Sequence, residues 1–281
     1  MVATRYMPKS LRALLRKCFF GILRHSLTQA AHEQNFFELA QRLARVVPNI
    51  GDQYSTFKID TDFLSKKVRY QHAFQISLVE RVIKEMSAPT IADIGDSSGT
   101  HIQYLTGLHP GRTIRCLSVN SDLQAVEKIR AKGLEAIHAH AEELERYNAS
   151  ADIFLCFETV EHLMNPAQFF HELSSKTQAK YLIITVPYVA KSRVGLHHIR
   201  YNRREGIGAE TTHIFELSPE DLKLLVRHSG WRMFYDQIYR QYPQYGFWGI
   251  TKSWWKRFDF EGFYGMILTR DDTWSSLYKD W

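Results

Sequence analysis

The sequence predicts an α/β fold: a parallel sheet with helices on both faces, preceded by a helical N-terminal extension. Three observations predict it. From Thr90 onward, short apolar runs alternate with helical patterns at the spacing of strand–helix units. The first of these runs ends at Ile94 and leads straight into the turn Gly95-Asp96-Ser97-Ser98-Gly99, where an open parallel sheet places a ligand. Hydrophobic residues at 44% and charged ones at 23% of 281 residues suit a globular chain with a large core and exclude disordered and fibrous classes.

In chain order, residues 9–24 place Leu11, Leu14, Leu15, Cys18, Ile22 and Leu23 at helical spacing, with Arg12, Arg16 and Lys17 on the flanks. Such a basic amphipathic helix fits an anionic membrane surface or, equally, its own domain. Its apolar run Cys18–Leu23 is too short for a signal-peptide core. A second helix is predicted over Phe36–Val47, ended by Pro48 and the Asn49-Ile50-Gly51 turn, and a third over Ala73–Met86. Strands are predicted at Thr90–Ile94, Thr113–Val119, Ala136–His140, Ile153–Cys156 and Tyr181–Val186. Helices fall between them near His101–Leu108, Asp122–Lys132 and Pro166–Ser175. Ser218-Pro219-Glu220-Asp221 is a helix start, with Ser as cap and Pro in the first turn, and that helix should stop at Gly230. Trp231–Tyr239 and Gly262–Thr269 read as closing strands around an aromatic insertion. The organisation expected is a helical extension over residues 1–70, then a main domain over 71–281 with insertions at about 190–213 and 241–260.

The formal net charge is +6, and the six cations Arg5, Lys9, Arg12, Arg16, Lys17 and Arg24, all before the first acidic residue Glu33, account for it. The remainder is neutral, so the charge balance makes nucleic acid a less favoured partner. Three cysteines without a CxxC pair fit a reducing compartment, and no stretch approaches the roughly eighteen apolar residues of a spanning helix. A cytoplasmic protein is expected, with peripheral contact to the inner face of a membrane as an option through the basic helix.

Two segments carry chemistry. In Thr90–Thr100 a strand ends in the carboxylate Asp93 and a glycine turn feeds a helix, so the backbone can approach a ligand closely and helix N–H groups face an acceptor. In Asp152–Pro166, Glu158, Glu161 and His162 follow a buried strand at a spacing that one helical turn could present together. With these two blocks about 60 residues apart, the sequence resembles class I S-adenosylmethionine-dependent methyltransferases over roughly residues 72–270. The resemblance implies a Rossmann-like seven-stranded sheet and S-adenosyl-L-methionine as cofactor. It implies cofactor contacts from Asp93, Gly95, Ser97, Gly99, Thr100, Ser118, His140, Ala141 and Glu158.

Three positions depart from the family pattern. Ser97 stands for the middle glycine of the loop, Ser118 for the acidic residue that binds the ribose, and His140 for an aspartate at the adenine. A serine in place of a carboxylate weakens ribose binding by roughly 1–3 kcal/mol, unless Asn120 or Asp122 compensates. The Glu158, Glu161, His162 block also resembles ubiquinone-pathway O-methyltransferases and small-RNA 2′-O-methyltransferases. In the latter, two glutamates and two histidines hold a divalent cation, and Thr212-His213-Ile214-Phe215-Glu216 resembles the segment with the distal histidine. The resemblance thus implies Glu158, Glu161, His162 and His213 as a metal set, more suited to Mn²⁺ or Zn²⁺ than Mg²⁺. The alternative is that Glu161 and His162 only orient the turn. His162, Glu161 and His213 are the catalytic candidates, since a hydroxyl acceptor must lose its proton near the transition state.

The run Lys191, Arg193, His197, His198, Arg200, Arg203 and Arg204 follows a strand's carboxyl end and favours an anionic acceptor, unless it is merely a solvated charge run. Aromatics from Tyr242 to Phe260 mixed with Lys252, Lys256 and Arg257 suit a membrane interface, stacking on a ring, a dimer contact or a buried cap. The leading expectation is O-methylation of an anionic small-molecule, glycan or lipid-linked acceptor. The alternatives are RNA 2′-O-methylation and a non-catalytic binding protein on the same scaffold.

Overall fold

The computed structural model describes residues 9–54, 57–143, 150–208, 212–257 and 261–278, without the side chains of Lys9, Arg12, Ala13 and Arg16. Arg5, Phe258 and Phe260 lie outside the described residues. Three helices come first: α1 (Lys9–Glu33), α2 (Phe37–Val46) and α3 (Asp62–Ile83). The strand–helix units follow as β1 (Thr90–Ile94), α4 (Thr100–Leu108), β2 (Arg115–Asn120), α5 (Leu123–Ala131), β3 (Ala136–His138), β4 (Ile153–Phe157), α6 (Pro166–Lys176) and β5 (Tyr181–Pro187). A short hairpin of β6 (Arg193–Val194) and β7 (Phe215–Glu216) encloses α7 (His197–Arg200). The chain closes with α8 (Pro219–His228), β8 (Trp231–Arg240), α9 (Lys252–Arg257) and β9 (Gly262–Arg270).

Seven strands form one sheet in the order β3-β2-β1-β4-β5-β9-β8. The first five are parallel, and β9 runs antiparallel to both β5 and β8. Reversal between β1 and β4 opens a crevice at the carboxyl ends of the strands, where Asp93 and Glu158 emerge. The predicted start of α8 holds: Ser218 Oγ accepts from the Asp221 N–H at 3.3 Å, with Pro219 in the first turn.

α3 begins at Asp62, not at Ala73 as the apolar periodicity suggested. Thr61 caps it by accepting from the Leu64 N–H at 3.2 Å. The start was hidden because Arg69, Gln71, His72 and Gln75 point inward and are buried, which breaks the apolar pattern. The boundary expected at residue 70 therefore falls inside α3. Leu27 and Leu43 share one core with Ile91, Ile153 and Ile183, so α1–α4 cover one face of the sheet. α6 and α8 cover the other through Phe169, Phe170 and Leu222. Leu27 is fully buried, and Leu27→Ala should cost about 2–5 kcal/mol in urea unfolding. An unchanged midpoint would mean that α1 is a detachable appendage.

The three cysteines are unpaired. No helix among the described residues is long and apolar enough to cross a membrane.

Candidate active site

The strand β1 carries Asp93 to the crevice floor, where it is almost fully buried. Gly95 (φ +95°) and Gly99 (φ +72°) shape the turn that follows. A Cβ on Gly95 would lie 2.3 Å from Thr159 Oγ1, and one on Gly99 would lie 2.7 Å from Leu134 Cδ1. Both positions thus demand glycine for conformation and for close packing. Gly99 caps α4 without a side-chain hydrogen bond, which leaves first-turn amides for an acceptor. Ser97 sits part-exposed at the middle of the turn. Ser98 Oγ donates to Gln53 Oε1 at 2.9 Å and shares a hydrogen bond with Thr100 Oγ1 at 2.7 Å. Gln53, from the segment before α3, was not foreseen as a support of this turn.

Nor was His101. Its Nδ1 lies 3.1 Å from Asp93 Oδ2 and 3.9 Å from Asp96 Oδ1, and all three side chains are buried. Burial pushes the Asp93 carboxyl up to about 6, and the His101 charge draws it part of the way back. For His101, burial lowers its pKa, but the Asp96 and Asp93 charges outweigh that, and the net shift is upward. Asp93 Oδ1, Asp96 Oδ2 and His101 Nε2 are buried without a hydrogen-bond partner. Unsatisfied groups at the floor of a crevice are what a polar ligand would satisfy.

At the second strand the geometry corrects the expectation. Ser118 stands opposite Asp93 in register and is fully buried, with no partner for its Oγ. β2 runs on for two more residues, so the residue at its tip is Asn120. Asn120 Nδ2 donates to the Asp96 carbonyl at 3.2 Å, and Oδ1 accepts from the Asp122 N–H at 2.7 Å. Asn120, rather than Ser118, is therefore the residue at the tip of β2. β3 stops at His138, which leaves His140 exposed just beyond it, with its N–H donated to Glu143 Oε2 at 3.2 Å. Ala141 follows, half-buried.

Beyond β4, Glu158 takes φ +49°, a left-handed conformation that costs a non-glycine residue about 1–3 kcal/mol. Burial pushes its carboxyl up to about 8, while a hydrogen bond from Thr185 and the nearby Lys67 ammonium oppose the shift. Burial likewise lowers the Lys67 ammonium to about 8. Gln75 Nε2 donates to Thr185 Oγ1 at 3.1 Å, so α3 supplies both Lys67 and Gln75 to this corner.

A single 3₁₀ turn, Val160–His162, then sets Glu161 and His162 beside the hairpin β6–β7. The Ile214 N–H donates to the Glu161 carbonyl at 2.7 Å, which locks His213 against this turn. The two imidazole rings meet edge to face with centroids 5.0 Å apart. Ligand atoms of Glu161, His162 and His213 lie within 4.8 Å of one another. Glu158 is not in this group, so the expected four-residue set is reduced to three. Its backbone turns it toward Thr185 and Lys67 instead.

The protons of both rings are placed by their neighbours. His162 Nδ1 lies 2.9 Å from the Thr212 carbonyl, which only accepts, so Nδ1 carries the hydrogen and Nε2 keeps a lone pair. Burial, with His213 adding to it, lowers the His162 pKa to about 4. His213 Nδ1 lies 2.8 Å from Glu216 Oε1. Despite its burial, Glu216 is held at about 2 by hydrogen bonds from His213 and Arg193, so it accepts the hydrogen on His213 Nδ1. Burial raises the Glu161 carboxyl well above the usual range, with the Glu158 and Glu216 charges adding to the effect, and both its oxygens lack partners.

The basic run is partly consumed by the fold. Arg193 pairs with Glu216, Arg200 donates to the Val194 carbonyl, and Arg203 lies over the Tyr201 ring. His197 Nε2 lies 3.8 Å from Glu216 Oε1, so the run does begin beside the His213 corner.

Residues 92–179 match the family described as a methyltransferase domain. No curated protein sequence matches the chain. The fold is similar to a protein assigned as a sarcosine dimethylglycine methyltransferase from Galdieria sulphuraria, at 11% identity and TM-score 0.56, over 85% of this chain and 99% of that one. It is also similar to the O-methyltransferase of a trans-AT PKS multienzyme from Brevibacillus brevis, solved with S-adenosyl-L-homocysteine. That match has 10% identity and TM-score 0.51 and covers 73% of each chain. A third similar fold is the cyclase SpnF, at 11% identity and TM-score 0.53, over 83% of this chain and 93% of that one. At such identities the likeness is one of fold. The matched segment spans both the glycine turn and the Glu161–His162 turn, so residues 92–179 resemble a methyltransferase domain, and the chain around them shares the fold of these methyltransferase structures.

Proposed function

We propose that the protein transfers a methyl group from S-adenosylmethionine to a hydroxyl of an anionic small-molecule, glycan or lipid-linked acceptor. The cofactor lies along Asp93–Thr100, with Asn120 at the ribose and His140–Ala141 at the adenine. Asp93 Oδ1, buried and unpartnered, suits the cofactor's ammonium group. The observation that carries the reading is the pair of histidines whose Nδ1 protons are committed to Thr212 and Glu216. The unpartnered Glu161 carboxyl and both imidazoles offer ligand atoms within 4.8 Å of one another.

That arrangement fits a divalent cation, because each imidazole is oriented from outside by an acceptor and the carboxylate has no other partner. Glu161, His162 and His213 would hold it, and their nitrogen-rich set suits Mn²⁺ or Zn²⁺ more than Mg²⁺. A bound cation would lower the pKa of an acceptor hydroxyl. In its absence His162 Nε2, neutral because of its lowered pKa, is the base closest to hand. His197 and Arg204 near the hairpin favour an anionic acceptor. The unpaired cysteines fit the reducing cytoplasm.

The same three residues also keep RNA 2′-O-methylation as a second reading. The test is incubation with methyl-labelled cofactor and fractionated cell extract, with and without chelator. Label should enter an acidic small-molecule or lipid fraction and fall on chelation, returning with Mn²⁺. Label confined to RNA would move the assignment to the second reading. Labelling of nothing, with S-adenosylhomocysteine still bound, would identify a non-catalytic scaffold.

A further inference from the structure

A second surface lies outside the crevice, formed by the first half of α1 and the segment Phe247–Arg257. The second half of α1 is built into the core through Leu23, Leu27, Ala30 and Ala31. Its next stripe packs on the insertion. Phe19 meets Trp254 with ring centroids 5.2 Å apart, His25 meets Trp248 at 4.4 Å, and Ser26 Oγ shares a hydrogen bond with Thr251 Oγ1 at 2.8 Å. One and two turns before Phe19 on that stripe stand Leu15 and Leu11. There the helix has run past the body of the protein, and Leu11, Leu14 and Leu15 are exposed. Beside the packed stripe, Phe247 is 73% and Ile250 59% exposed.

The charge on this surface is mostly positive, with Glu261 3.8 Å from Lys256 at its edge. No acidic residue precedes Glu33, and none occurs between Gln241 and Arg257. Lys17, Lys252, Lys256 and Arg257 are exposed among the apolar side chains, and Trp248 and Trp254 are half-buried at their edge. The rest of the chain carries a slight acidic excess, 27 Lys and Arg against 30 Asp and Glu. Exposed leucine, phenylalanine and isoleucine ringed by lysine and arginine match a bilayer whose headgroups are anionic and whose interior is apolar. A second copy of this face would bring like charges together, and an RNA backbone has no use for the exposed leucines.

We propose that this face docks the protein on an anionic lipid bilayer. The insertion leaves the sheet at the end of β8 and re-enters at the start of β9, where Phe263 pairs with Pro187 at the carboxyl end of β5. The docking face is therefore attached at the same end of the sheet as the crevice. The proposal does not depend on which acceptor is methylated.

The test is sedimentation of the full chain with vesicles of phosphatidylcholine alone and with added phosphatidylglycerol. Binding should require phosphatidylglycerol and weaken by roughly tenfold or more at high salt. Leu14→Ser with Leu15→Ser, and separately Phe247→Ser with Ile250→Ser, should each weaken vesicle binding by about tenfold or more, since both remove apolar area that enters the bilayer. S-adenosylhomocysteine affinity and circular dichroism should stay as in the parent chain. Failure of the folded, ligand-binding chain to sediment with the anionic vesicles would overturn the proposal. So would vesicle binding indifferent to both pairs of substitutions, or a stable dimer dissolved by the same substitutions while the vesicles capture nothing.

Discussion

His213→Ala should lower kcat by roughly 10²–10⁴-fold while leaving S-adenosylhomocysteine affinity within about threefold of the parent chain. His213 sits just before β7, against the Glu161–His162 turn, so its removal should leave the Asp93–Thr100 side chains in place. Glu216→Gln is the finer probe. It keeps the volume but weakens the acceptor that fixes the His213 ring, and a loss of about 10- to 100-fold is expected, as for partners that orient a metal or base ligand from behind. Glu158→Gln should act differently, because Glu158 faces Thr185 and Lys67; its loss should be felt through the neighbouring cofactor pocket rather than through the proton. The measurements are steady-state rates at saturating cofactor and calorimetry with S-adenosylhomocysteine. Full activity in His213→Ala would remove this corner from the chemistry and leave the Glu161–His162 turn as an anchor for the hairpin.

The second large effect concerns Asp93. Asp93→Ala should weaken S-adenosylhomocysteine by roughly 10- to 100-fold, the range for a charge-assisted hydrogen bond in a buried site. The parent chain should also show an acid limb. With the Asp93 carboxyl raised to about 6, affinity should fall as pH drops through that value and the carboxylate takes up a proton. His101→Gln removes the cation that opposes the rise, so the limb should move toward neutral pH. Stability of the unliganded fold should respond with the opposite sign. A carboxyl whose folded pKa exceeds its ordinary 3.8 binds protons more tightly in the fold, so its contribution is lost as pH rises from 3.8 to about 6. The raised His101 pKa acts in the same direction at higher pH. Rising pH should therefore tighten the ligand while slightly loosening the empty fold. A flat affinity profile between pH 5 and 8 on the order of measurement error would sink this account of Asp93 and His101.

Much of the architecture was legible in the sequence because it is encoded locally. β1 was predicted at its observed bounds, and β4 and β5 to within one residue, since a buried parallel strand is a short apolar run between polar turns. The Ser218 cap was readable for the same reason: cap, proline and first-turn acid lie within four consecutive residues. Asp93, Gly95, Gly99, Glu161 and His162 were readable as candidates because they lie next to strand ends that the pattern had already located.

What escaped the sequence depended on distance or direction. The start of α3 was obscured because its polar residues serve the interior, a direction that periodicity does not record. Lys67 and Gln53 were unassigned, and Asn120 was named only as a substitute for Ser118, because nothing near them in the chain shows what they face.

By itself the sequence determined the α/β class, the order of its strands and helices along the chain, and the two polar blocks at strand ends. It did so because hydrophobic periodicity, capping and glycine turns act over a few residues. Only the tertiary structure decided that His213 joins His162 across 51 positions, that Glu158 leaves this group for Lys67, and that Asn120 replaces Ser118 at the strand tip. Those outcomes rest on the Ile214–Glu161 backbone hydrogen bond, on a left-handed φ at Glu158 and on the register of β2 against β1. Each is a relation between distant segments, and its energy appears only when the chain is packed.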